Sequence, residues 1–103
     1  DPNVLNDLAW ILATTPVDAL RNGREAVKLA ERAVKLTKGQ EAGTLDTLGV
    51  AYAEAGSFKR AAEYTQQALT MARSKKLESI IGPLTMRLGE AYDRQVEAEL
   101  EPI

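Results

Sequence analysis

The triplets Leu8-Ala9-x2-Leu12, Leu48-Gly49-x2-Tyr52 and Leu88-Gly89-x2-Tyr92 lie 40 residues apart, twice over. A fixed internal period of this length points to stacked copies of one supersecondary unit, none of which can bury its apolar face alone. Each copy also opens three residues earlier, at Leu5, Leu45 and Thr85, and the intervening stretches echo too: Ala26-x3-Ala30-x2-Ala33 parallels Ala61-x3-Thr65-x2-Ala68. Two copies place glycine inside a segment that otherwise reads as helix, where it costs roughly 1 kcal/mol relative to alanine. Such a cost is kept where a neighbouring backbone must come close. The echo therefore predicts that Gly49 and Gly89 mark helix crossings, with Ala61 and its neighbours on the other side.

The segments follow from apolar spacing and from glycine and proline punctuation. Asn3 to Thr14 carries Val4, Leu5, Leu8, Ile11 and Leu12 at helical spacing and ends before Pro16. Thr15 to Gly23 reads as a loop with one short turn at Val17–Leu20. A second segment, about Arg24 to Lys38, sets Ala26, Val27, Ala30, Ala33 and Val34 on one side and Glu25, Lys28, Glu31, Arg32 and Lys35 on the other, with Gly39 as its stop. The third runs from Ala42 to Ala55, closed by Gly56 in a left-handed turn, and the fourth from Phe58 to Arg73 behind Ser57. Ser74 to Gly82 is ambiguous between loop and a short turn, and Pro83 opens a fifth segment that runs to about Glu99. No stretch alternates with period two, so the expected class is all-α.

Leu48, Gly49, Tyr52 and Ala61 resemble the tetratricopeptide repeat, whose pattern is W-x2-L-G-x2-Y…A-x3-F…P. Leu45, Thr65 and Arg73 stand where tryptophan, an aromatic and proline are common. The resemblance covers nearly the whole chain as about two and a half repeats, approximately residues 3–40, 42–75 and 83–100. The 40-residue period exceeds the family's period of about 34 by roughly six residues per unit. These fall in Thr14–Gly23 and Ser74–Gly82. The resemblance implies five main helices stacked as antiparallel pairs in a right-handed solenoid. It also implies a non-catalytic module that binds a peptide or neighbouring domain in a concave groove. The implied lining is Asn6 and Trp10 from the first segment, Asp46, Val50 and Ala53 from the third, and Arg87, Glu90 and Arg94 from the fifth. One subclass clamps a partner's terminal carboxylate with lysine, asparagine and arginine. The matching positions here are Asn6, Trp10, Thr47, Pro83 and Arg87, and only Arg87 keeps the type, so that clamp is not expected.

Composition narrows the chemistry. The 103 residues include no cysteine and no histidine, which removes disulfides, thiol nucleophiles, imidazole bases and nearly every zinc site. No cofactor, no metal and no catalysis are expected. The net charge of −2 and the small basic clusters at Lys59-Arg60 and Arg73-Lys75-Lys76 argue against nucleic acid. No apolar run reaches the roughly 20 residues a bilayer span needs. The chain opens at Asp1 and reads as a piece of a longer protein. Trp10, the one tryptophan, either lines the groove or packs on the Pro16–Leu20 loop. An alternative role is a structural spacer or oligomerisation element within a larger multidomain protein. Self-association is expected through the N-terminal helix pair, because Val4, Leu5, Leu8, Ile11 and Leu12 span more than one face. In the fifth segment, Leu84, Leu88, Tyr92 and Val96 are expected to form one packed stripe.

Overall fold

The computed structural model describes residues 1–100, which form five α-helices and no strand. They are α1 (Pro2–Thr14), α2 (Gly23–Leu36), α3 (Ala42–Glu54), α4 (Phe58–Ser74) and α5 (Glu78–Leu100). Each packs on the next in sequence. In addition α1 packs along α3, and α3 touches α5, whereas α2 and α4 do not meet. The odd-numbered helices thus converge while the even-numbered ones stay apart.

The core is built mainly from alanine. Ala9, Ala13, Ala26, Ala30, Ala51, Ala61 and Ala62 gather around Leu48 and Tyr52. Ala42, Ala68 and Ala72 gather around Leu45, Leu69 and Leu84. Small side chains bring helix axes together, and the gain comes from many close contacts rather than from a few large side chains. On α2 the expected division holds: Ala26, Ala30 and Ala33 are buried, and Glu25, Lys28, Glu31, Arg32 and Lys35 are exposed. Tyr52 stacks on Tyr64 at 5.6 Å between ring centroids, and its hydroxyl donates to Glu31 of α2. One residue of α3 thereby ties both neighbouring helices.

Gly49 sits at the α3–α4 crossing. A Cβ there would lie 2.5 Å from Thr65 Oγ1 and 3.3 Å from both Ala61 O and Thr65 N. The pair is an antiparallel hairpin closed at Gly56, which adopts φ +84°. Gly89 departs from the expectation. It is exposed, and a Cβ would meet nothing within 4 Å, because no further described helix packs on that side of α5. The packed stripe of α5 fails for the same reason. Leu84 is buried and Leu88 half-buried, but Tyr92 and Val96 are 48% and 52% exposed.

Two boundaries also differ from the sequence reading. Gly23 is the first residue of α2, not the end of a loop. Asn22 caps that helix through its Oδ1, which accepts from the Glu25 N–H at 3.1 Å. Arg21 clamps the preceding loop to α3, donating to Glu54 and Asp18 at 2.7 Å each and to the Thr15 carbonyl at 3.0 Å. Gly23 is thereby pressed against the end of α3, where a Cβ would lie 2.7 Å from Ala55 N and 2.8 Å from Glu54 C. The second difference is α5, which begins at Glu78 and runs through Pro83. Pro83 removes one helical hydrogen bond. Ile80, Ile81 and Leu84 nevertheless pack against Ala68, Leu69 and Ala72, and this burial outweighs the loss.

These contacts order the glycines. Gly49→Ala should cost about 1–3 kcal/mol by overpacking. Gly23→Ala should cost at least as much, because the opposing atoms are backbone and cannot rotate away. Gly89→Ala should instead add up to about 1 kcal/mol of helix propensity. Urea melts of the three variants check this ordering.

Candidate functional site

The eight residues expected to line a groove gather on the side where α1, α3 and α5 converge. They divide between two neighbouring hollows. The more enclosed one, of about 220 Å³, lies between α3, α4 and α5 and is lined by Val50, Ala53, Arg87, Glu90 and Arg94. Gly49, Phe58, Ala61 and Thr65 form its floor and wall. The shallower one lies between α1 and α3 and holds Asn6, Trp10 and Asp46, with Asp7, Ile11, Gly43 and Thr47. Sequence reasoning missed Phe58 and Asp7. Phe58 begins α4, and in the sequence it stood out only as the start of that segment. Asp7 stands one position from Asn6, and its place in the hollow follows from where α1 lies on α3.

Arg87 stands between the hollows and joins three helices. Its Nε donates to Asp46 Oδ1 at 2.8 Å and its Nη2 to Asp46 Oδ2 at 2.6 Å, a bidentate pair across α3 and α5. The guanidinium carbon also lies 5.8 Å from the centre of the Trp10 ring on α1, within cation–π range. Farther along α5, Arg94 also lies on an aromatic ring, 4.9 Å from the Phe58 ring centre. Both cations are held against aromatic faces at the edge of a hollow.

Trp10 is 37% exposed. Its surroundings are Arg87 and the α1–α3 hollow, while Val17 and Leu20 of the Pro16–Leu20 loop are themselves exposed. Asp46 is mostly buried, with 14% of its side chain exposed. Burial pushes its carboxyl above the ordinary carboxylate range, and the hydrogen bonds and charge of Arg87 offset part of that rise. Asn6 Oδ1 is buried without a hydrogen-bond partner. The lining contains no paired nucleophile and base. Among the described residues no three His, Cys, Asp or Glu side chains form a metal-holding group, and no helix is long and apolar enough to cross a membrane.

The Arg87–Asp46 pair makes a directional test. Because the folded pKa of Asp46 is raised, the fold favours its protonated form, and that contribution fades as pH rises through the folded pKa. Removing Arg87 takes away the partner that makes the buried carboxylate tolerable. Arg87→Met should therefore cost about 1–3 kcal/mol at neutral pH and less in mild acid, where Asp46 takes up a proton. Adding Asp46→Asn to Arg87→Met should recover part of the loss, read from denaturant melts at both pH values.

A comparison of the chain with protein-family models, with curated proteins and with solved structures finds no match.

Proposed function

We propose that this chain is a non-catalytic protein–protein interaction module of the tetratricopeptide-repeat type, which binds a peptide or a neighbouring domain on its inner face. On this reading α1–α2 and α3–α4 are successive antiparallel pairs of a short right-handed solenoid, and α5 is the first helix of a third. The observation that carries it is the gathering of Asn6, Trp10, Asp46, Val50, Ala53, Arg87, Glu90 and Arg94 from three separate helices into adjoining hollows. The convergence of the odd-numbered helices, with α2 and α4 apart, supports the solenoid arrangement. Trp10 suits the role of an anchor: it is held in place, partly exposed and beside a cavity.

Site-specific photo-crosslinking in cells that make the protein tests the reading. A crosslinker at Ala53 should capture a partner that a crosslinker at Lys28, on the outer face of α2, does not. Trp10→Ala should abolish that capture while changing stability by no more than about 1 kcal/mol. Equal capture from both positions would contradict the assignment of the inner face.

A second reading, an oligomerisation element, rests on α1. Val4, Leu8 and Ile11 lie along one side of that helix and are 63%, 44% and 58% exposed. A stripe of this kind favours self-association through the N-terminal helix pair. Light scattering on the purified chain should then show a species larger than a monomer, which Ile11→Lys returns to monomer. A wild-type monomer at high concentration rules this reading out.

A further inference from the structure

The helices are segregated by charge. Within their helical residues α1, α3 and α5 carry eight carboxylates against two arginines, while α2 and α4 carry seven basic side chains against three acidic ones. No lysine or arginine occurs in α1 or α3. Of the two arginines on the inner side, Arg87 is already committed to Asp46. The α1–α3 hollow therefore keeps an acidic lining: the exposed carboxylate of Asp7, the Asp46 carboxylate that Arg87 engages, and the π face of Trp10. Each of these attracts a cationic donor. Arg87 shows within the molecule how a guanidinium engages this corner, bidentate on Asp46 and beside the Trp10 ring.

We propose that the partner on this face is a basic, amphipathic protein segment. One of its arginine or lysine side chains enters the Asn6–Trp10–Asp46 hollow, and an apolar side chain fills the neighbouring hollow at Val50 and Ala53. The proposal rests on the inner-face binding reading above and adds the chemistry of the partner. Charge complementarity of this kind sets the choice of partner and the rate of encounter more than raw affinity. The incoming cation competes with Arg87, so Arg87 acts as an internal occupant that weak or non-basic partners fail to displace.

Trp10, the one tryptophan, reports on the site directly. The probes are a short amphipathic helical peptide of leucine, alanine and arginine, and its counterpart with glutamate in place of arginine. The arginine peptide should shift Trp10 emission and bind on the order of tenfold tighter than the glutamate peptide, with affinity falling as salt is raised. Asp7→Asn should weaken it several-fold with an unchanged melting midpoint, and Arg87→Gln should strengthen it by removing the competitor. Equal or tighter binding of the glutamate peptide overturns the charge assignment and leaves inner-face binding standing. Failure of both peptides to move Trp10 emission overturns both.

Discussion

Close approach of α3 to its neighbours is the constraint on which the other contacts depend. Gly49 admits Thr65 and the Ala61 carbonyl to van der Waals distance, and Gly23 admits the backbone of Glu54 and Ala55 from the other side. With both crossings tight, alanines suffice to fill the interior. Tyr52 can then reach Glu31 and stack on Tyr64, and Asp46 is carried to within bidentate range of Arg87. A larger side chain at either glycine would separate the helices and undo the polar contacts along with the apolar ones.

Much of this was legible in the sequence, for local reasons. Pro16, Gly39 and Gly56 punctuate the chain where helices must stop, and the alanine spacing of α2 needs only one face to be buried. Two features were hidden because they depend on what lies opposite. Gly23 reads as loop until Arg21 brings it against Ala55. Pro83 reads as a helix start until Ile80 and Ile81 are seen to be packed on α4. Gly89 shows the converse hazard. It repeats the motif of Gly49, but the motif describes a surface that can receive a helix, and none among the described residues packs on it. The expected groove residues came from the resemblance to the tetratricopeptide repeat, applied at matching positions of successive units. Their division by Arg87 was hidden, because an ion pair across 41 residues leaves no trace in local pattern.

The same pairing gives the inner face its character. Bidentate hydrogen bonding holds Arg87 in one orientation, and the buried Asp46 gives it reason to remain there. The charged lining residues of α1 and α3 are all acidic, whereas most of the basic side chains belong to α2 and α4. On the proposed reading, a surface divided in this way would discriminate between partners by charge before any apolar side chain is seated.

The central claim is that partners engage the side formed by α1, α3 and α5, with α2 and α4 as support. Amide and indole chemical shifts recorded during titration with the arginine peptide test it most directly. The claim predicts that the Trp10 indole N–H and the amides of Val50, Ala53 and Glu90 move together, while those of Lys28, Arg32 and Lys59 stay in place. Shifts concentrated on α2 and α4, with the Trp10 indole unmoved, would contradict it.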